Sequence, residues 1–150
     1  MERKRKVIPP VYLVVALLAM AALHFLLPIA RFIAPPYSYL GLIPLVGGIV
    51  MAATASSAFR KAGTPVLPFE RSTALVTGGL YRVTRNPMYL GMLFILAGVA
   101  LLLGSVSTLL PIPVFGWAIQ RNFILGEERF LEEIFGQRYL GYKRQVRRWL

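Results

Sequence analysis

Gly79-Leu80-Tyr81-Arg82-Val83-Thr84-Arg85-Asn86-Pro87-Met88-Tyr89-Leu90-Gly91 joins a polar connection to a long apolar run. Two arginines, an amide, two tyrosines, a proline and glycines crowd into thirteen residues. Arg82 and Arg85 stand immediately before the apolar run, which places them where a membrane helix enters the bilayer. Polar side chains at that depth are costly and mark a functional site by default. A basic loop on the cytoplasmic face accounts for the two arginines alone. It leaves the neighbouring Tyr81, Asn86, Pro87, Tyr89 and Gly91 unexplained.

Composition sets the class. Hydrophobic residues make up 57% of the 150 residues and mean hydropathy is +0.63. That is too apolar for an ordinary soluble domain and points to a single all-α, polytopic membrane domain over residues 1–150. There is no Cys, no Asp and one His, which removes thiolate chemistry and disfavours a zinc or di-iron site. The net charge is +11. In a water-soluble chain it would suggest nucleic acid. Here the basic residues flank apolar runs, so anionic lipid headgroups are the better partner and nucleic acid is not expected.

Outward from the opening stretch, apolar runs predict four spans at about 11–27, 39–58, 87–103 and 108–125, followed by a cytoplasmic helix at about 127–147. The basic tail before residue 11 resembles a signal-peptide start, but the run that follows is long and has no small-residue cleavage site. His24, alone on its span, reads as a packed or interfacial residue. Gly41, Gly47, Gly48, Ala52 and Ala53 make the second span a closely packed helix. The connection from Phe59 to Thr77 is long, polar and broken by proline and glycine, and is expected to be a lid or substrate-facing segment on the membrane surface. Pro87 suits the first turn of the third span. Pro111 and Pro113 are expected to kink the fourth, and Gly126 to break the chain after it. Apolar residues from Phe130 to Trp149 recur on one helical face, as in an amphipathic interfacial helix, with a possible interruption at Gly136.

The basic residues orient the chain. Four lie in the N-terminal tail, five between the second and third spans, seven at or beyond the end of the fourth, and one, Arg31, in the first turn. Four spans with both termini in the cytoplasm gather sixteen of the seventeen on one side, as the positive-inside rule requires.

This topology brings two polar clusters together on the cytoplasmic face. One is Tyr81, Arg85, Asn86 and Tyr89; the other is Arg121, Asn122, Glu127 and Glu128. Carboxylates, guanidinium, amide and aromatic faces suit a zwitterionic, hydroxyl-bearing ligand. Tyrosine can pack on an adenine ring or against a cationic sulfonium. For Glu127 and Glu128 a solvated first helical turn, favoured by the helix dipole, is the competing reading.

The pattern Gly79-x-Tyr81-Arg82-x-x-Arg85-Asn86-Pro87-x-Tyr89-x-Gly91, then Glu127-Glu128, then Phe135-Gly136-x-x-Tyr139-x-x-Tyr142, resembles the isoprenylcysteine carboxyl methyltransferase and phospholipid N-methyltransferase superfamily of integral membrane enzymes. The resemblance runs from about Phe59 onward. It implies S-adenosylmethionine as cofactor, S-adenosylhomocysteine as product, and a lipophilic acceptor entering from the bilayer. It implies that Tyr81, Arg85, Asn86, Pro87, Tyr89 and Gly91 form the first cofactor-binding segment and Glu127 and Glu128 the second. The isoprenylcysteine branch usually has His at the position of Asn86.

In-line displacement at a sulfonium methyl asks mainly for alignment and water exclusion. A carboxylate or thiolate acceptor needs no base; an ammonium acceptor does, and Glu128 or a bound water would serve. Arg85 or Arg121 could orient an anionic acceptor or hold the cofactor carboxylate, and the residues leave both roles open. Arg85 and Glu128 are the candidate catalytic residues; Arg121 and Asn122 join the candidate cofactor-binding set, and no metal is expected. The acceptor stays open among an isoprenylcysteine carboxylate, a phospholipid amine and a small hydrophobic molecule, as does the oligomeric state. The alternative is a non-enzymatic membrane scaffold or lipid-binding subunit, which cofactor binding would distinguish.

Overall fold

A computed structural model describes residues 8–66 and 72–150. The expectations for the N-terminal tail, and for Pro68, Glu70 and Arg71 of the long connection, lie outside the described residues. Among the described residues six α-helices follow in order: α1 Pro9–Leu26, α2 Leu42–Lys61, α3 Pro87–Leu103, α4 Pro111–Ile119, α5 Leu125–Phe135 and α6 Gln137–Gln145. Short 3-10 turns at Tyr37–Gly41, Gly79–Arg82 and Val106–Leu109 lead into α2, α3 and α4, and a π turn at Gln120–Ile124 joins α4 to α5. Among the described residues there is no strand, only isolated bridges between Arg31 and Ser105 and between Thr84 and Arg147.

Proline sets three helix starts. It stands at the beginning of α1, α3 and α4, where its missing N–H has no intrahelical partner to lose. Pro111 and Pro113 therefore open α4 instead of kinking it. The irregularity of this segment is the π turn further on, and Gly126 lies inside α5. The break comes at Gly136, whose φ of 52° ends α5 and starts α6, so the expected cytoplasmic helix is two shorter ones.

Two helical stretches, Pro9–Leu26 with 18 residues and Tyr37–Lys61 with 25, are long and apolar enough to cross a membrane; α3 is shorter. Much of their apolar surface faces outward, including Val15, Leu18 and Phe25 on α1 and Ile43, Val46 and Val50 on α2. An exposed apolar area of this extent suits lipid and not water. The interior is built from Ala16 and Met20 of α1, Met92, Leu96 and Ala100 of α3, and Phe115, Ile119 and Phe123 beyond them.

The tightest packing joins α2 and α3. Gly41 lies against the backbone of Gly98, and Gly48 against that of Gly91, with reciprocal crowding from the α3 side. A Cβ on Gly98 would sit 2.6 Å from the Gly41 carbonyl oxygen and 2.6 Å from the Leu45 nitrogen. Each pair is seven residues from the next on its helix, so both fall on one face of an antiparallel contact. Small residues allow this backbone approach in the absence of a hydrophobic driving force between helices in lipid.

At the opposite end from the polar clusters, the turn after α3 is pinned to the loop after α1. Gly104 adopts the left-handed conformation that ends a helix, with φ of 71°. Phe32 N–H donates to the Gly104 carbonyl at 2.9 Å, and Val106 N–H to that of Ala30 at 2.8 Å. His24 Nδ1 and Ser105 Oγ are 2.6 Å apart, so the lone histidine is a hydrogen-bonded packing residue at this end.

Candidate active site

The site gathers at the other end, where α2 finishes, α3 begins and the π turn delivers the chain into α5. Tyr81, Arg85, Asn86, Tyr89, Glu127 and Glu128 line one cavity. Phe59, Val76, Met88, Phe130 and Leu131 supply its apolar wall, and Tyr139 closes it from α6. The first polar cluster foreseen from the sequence and the two glutamates of the second are thus neighbours in space. The cavity encloses about 100 Å³, below the roughly 300–1,000 Å³ of typical ligand pockets. It is sized for the polar end of a ligand, with the apolar wall left for the remainder.

The two adjacent glutamates have different surroundings. Glu128 is buried and both its oxygens are engaged. Arg85 Nη2 donates to Oε1 at 2.8 Å, Arg148 Nε to Oε1 at 2.9 Å, and Arg148 Nη2 to Oε2 at 2.9 Å. Lys143 Nζ lies 3.8 Å from Oε2 and also pairs with Glu132. Burial alone would raise the Glu128 carboxyl, but the hydrogen bonds from Arg148 and Arg85 outweigh it and hold the group below the ordinary carboxylate value.

Glu127 has no cation within ion-pair distance among the described residues. Its Oε1 accepts a 2.7 Å hydrogen bond from the Tyr89 hydroxyl. Burial raises its carboxyl; the Tyr89 hydrogen bond pulls the other way, and the charge of Glu128 adds to the rise. Neighbouring carboxyls pushed in opposite directions divide their roles: Glu128 is a fixed anion inside an ion cluster, whereas Glu127 offers the cavity a carboxyl that can change charge.

Arg85 is the pivot. Besides Glu128, its Nη1 donates to the carbonyls of Lys143 at 2.9 Å and Val146 at 2.8 Å. Its side chain is only 8% exposed, and its Nε is buried with no hydrogen-bond partner. An orphaned buried donor beside a cavity calls for an acceptor from elsewhere.

The segment after α6 holds this arrangement in place. Arg85 N–H donates to the Arg147 carbonyl at 2.9 Å. Thr84 Oγ1 and Asn86 Nδ2 donate to the Arg148 carbonyl at 3.1 and 3.0 Å. Trp149 Nε1 reaches Gln120 Oε1 at 3.0 Å, which ties the same segment to the π turn. Tyr142 donates to the Tyr81 carbonyl at 2.6 Å, and burial raises its hydroxyl to about 12. Burial raises the Tyr81 hydroxyl as well, so both phenols stay protonated at neutral pH.

Not every candidate residue reaches the cavity. Arg121 and Asn122 lie on the exposed outer side of the π turn. The Arg121 guanidinium stands 5.8 Å from the Trp117 ring, and Asn122 Nδ2 is 3.4 Å from the Tyr12 hydroxyl. Gly91 packs α3 against Gly48 and Ala52, and buried Pro87 starts the helix. Arg148, Thr84 and Lys143 were not foreseen as site residues. Arg147-Arg148-Trp149 reads in sequence as another basic stretch, and only the folded chain reveals that Arg148 grips Glu128.

Arg148→Ala is expected to move acid unfolding to higher pH. The depressed folded-state titration of Glu128 gives stability that is present above its unfolded value and lost as pH falls through the folded one. Without Arg148 that value rises and the loss begins sooner. Circular dichroism during acid titration in detergent measures it; an unchanged midpoint would show that Arg85 alone sets the Glu128 charge.

Comparison with known proteins places the chain in a family. The chain is 31% identical over 111 residues to protein-S-isoprenylcysteine O-methyltransferase A of Arabidopsis thaliana, covering 73% of this chain and 56% of that protein. It is 31% identical over 111 residues to protein-S-isoprenylcysteine O-methyltransferase of Xenopus laevis, covering 38% of it. The chain spans about half the length of the first of these relatives. In fold it resembles the eukaryotic intramembrane Ras methyltransferase ICMT, with a TM-score of 0.67 at 20% identity, over 100% of this chain and 53% of that one. The profile of the phospholipid methyltransferase family matches residues 37–138, from the turn before α2 through both halves of the cavity, and the chain belongs to that family.

Proposed function

We propose that the protein is an S-adenosylmethionine-dependent membrane methyltransferase acting on a lipophilic acceptor at the cytoplasmic face. The observation that carries this reading is that one cavity is lined by a buried arginine with an orphaned Nε and by a glutamate with no cationic partner among the described residues. A guanidinium and a carboxyl lining one small cavity fit an α-amino acid group, and the tyrosines that line it with them fit a cation. A purely structural scaffold would leave both groups without a purpose.

S-adenosylmethionine, when bound, supplies an electrophilic methyl group on a sulfonium. The chain supplies the rest. In this reading the Arg85 guanidinium donates to the carboxylate, and Glu127 accepts from the ammonium or takes a proton from an amine acceptor. Glu128, saturated by Arg85 and Arg148, fixes the Arg85 guanidinium. Phe59, Tyr81, Tyr139 and the apolar wall exclude water, which strengthens each of these interactions. Pro87, Gly91, Arg121 and Asn122 act outside the polar contacts, through helix start, helix packing and the outer surface. The acceptor is an isoprenylcysteine carboxylate, a phospholipid amine or a small hydrophobic molecule.

We infer also that α1, α2, α3 and α4 with its π turn are four passes of one domain, with both termini cytoplasmic. The charge distribution supports this: Arg60, Lys61, Arg82 and Arg85 share the cavity end, and Arg31 pairs with Ser105 at the other.

Transfer of radiolabelled methyl from S-adenosylmethionine by purified protein, offered each acceptor class in turn, tests the activity. Label in one lipid class confirms it; none in any class, from protein that is folded, contradicts it. Affinity for S-adenosylhomocysteine is expected to fall as pH is lowered through the raised Glu127 titration, because the protonated carboxyl loses its attraction for an ammonium. In Glu127→Gln that dependence should vanish. A pH dependence surviving in the variant would remove Glu127 from the binding role.

A further inference from the structure

The cavity encloses about 100 Å³, room for the polar end of a ligand only. The remainder enters when one wall moves aside, as enzyme lids do. The walls differ in what fastens them. α3 is locked to α2 by backbone contact at Gly91 and Gly98. α5 runs on from Phe123 and Ile124, which are both buried. α6 is fastened otherwise. Tyr139 is its one buried residue, and Val146 is the one buried residue of the segment that follows it.

Polar contacts hold the rest. The Tyr142 hydroxyl donates to the Tyr81 carbonyl. Arg85 Nη1 donates to the carbonyls of Lys143 and Val146. Arg85 N–H donates to the Arg147 carbonyl, and Thr84 Oγ1 and Asn86 Nδ2 to that of Arg148. Water replaces such bonds at small net cost, but it offers nothing in place of buried apolar contact. Elements with few buried apolar contacts are therefore the first to open. Gly136 supplies the joint. It stands between α5 and α6 with φ of 52°, and a Cβ there would meet nothing within 4 Å.

Arg85 connects this wall to the ligand. Its Nη1 holds the α6 side, its Nη2 holds Glu128 on α5, and its Nε has no partner. An acceptor arriving at Nε fixes the guanidinium, and with it the carbonyls that Nη1 grips. We propose that α6 and residues 146–149 are a lid hinged at Gly136, that Thr84, Arg85 and Asn86 are its latch, and that ligand exchanges only when the latch lets go. Asn86 is then a positioning residue, acting through the Arg148 carbonyl. That the ligand is S-adenosylmethionine rests on the methyltransferase reading; the opening of the lid does not.

The test is a removable cross-link. The chain has no cysteine. Thr84 and Arg147 are partners in a parallel bridge, where backbones run about 4.8 Å apart, within the roughly 4.4–6.8 Å between Cα atoms that a disulfide spans. In the full chain in detergent, oxidised Thr84→Cys/Arg147→Cys, verified by mass, should exchange tritiated S-adenosylhomocysteine at least about a hundredfold more slowly than the same protein reduced. Tyr142→Phe should act in the opposite direction and speed both entry and release about fivefold, the effect of one hydrogen bond. Loss of a ligand contact would speed release alone. Without ligand, amide hydrogen exchange should be at least about tenfold faster over residues 137–149 than over 125–135, and oxidation should remove the contrast. Equal ligand exchange by oxidised and reduced protein, faster release without faster entry in Tyr142→Phe, or α6 amides as protected as those of α5 would each overturn the lid. No binding of S-adenosylhomocysteine to folded wild type, with the hydrogen-exchange contrast present, would instead overturn the methyltransferase reading alone.

Discussion

Arg85→Ala is expected to lower affinity for S-adenosylhomocysteine at least a hundredfold and to destabilise the protein by about 3–5 kcal/mol, the usual cost of breaking a buried ion pair. The two effects have separate causes. Stability falls because Arg85 links Glu128 to the carbonyls of Lys143 and Val146, so its removal leaves a buried carboxylate with Arg148 as its remaining close partner. Affinity falls because the orphaned Nε is lost. Arg85→Lys separates them: it keeps the charge beside Glu128 but cannot present a fork of donors at fixed angles. The lysine variant should recover much of the stability and little of the affinity. Thermal unfolding and calorimetric titration on the same preparations check both. Wild-type affinity in Arg85→Ala would reduce Arg85 to an anchor for the segment after α6.

Gly98→Val should prevent accumulation of folded protein. Overpacked cores commonly lose about 1–3 kcal/mol, and here the obstruction is backbone, which cannot rotate away. The added Cβ would lie 2.6 Å from the Gly41 carbonyl oxygen and 2.7 Å from the Leu45 Cβ, so α2 and α3 must separate. Because α2 carries Phe59 and α3 carries Tyr89, with Arg85 just before its start, that separation would open the cavity as well. Gly47→Val is the control. It lies on the partner helix α2, next to Gly48, but a Cβ there meets nothing within 4 Å, so its folded yield and unfolding temperature should match the wild type. Monodisperse yield in detergent and thermal unfolding measure the contrast. Equal behaviour of the two variants would mean that α2 and α3 are not held by this contact.

Much of this was legible in the chain. Hydropathy located α1, α2 and α3 to within a few residues, because a long apolar run bounded by proline and charge has few alternatives. The pairing of the first polar cluster with Glu127 and Glu128 followed from a short uncharged connection between α3 and α4. What periodicity could not show was the route of the chain after the fourth apolar run. Gly126 looked like a breaker, yet helices tolerate an isolated glycine, and the π turn at Gln120–Ile124 has no residue signature. That turn carries Arg121 and Asn122 outward while Glu127 and Glu128 face the site.

The division of labour between the glutamates was also hidden. Adjacent residues with identical side chains differ only through partners distant in sequence, Arg148 for Glu128 and Tyr89 for Glu127. Arg148 itself read as one basic residue among many. Charge counting cannot tell a residue that faces lipid headgroups from one paired with a buried carboxylate.

Calorimetric titration of S-adenosylhomocysteine into the purified wild type, with Glu127→Ala and Arg85→Lys alongside, tests the central claim most directly. The proposed site predicts saturable one-to-one binding to the wild type, weakened at least tenfold in each variant, with all three proteins folded. No binding to folded wild type, or equal binding to all three, would contradict it.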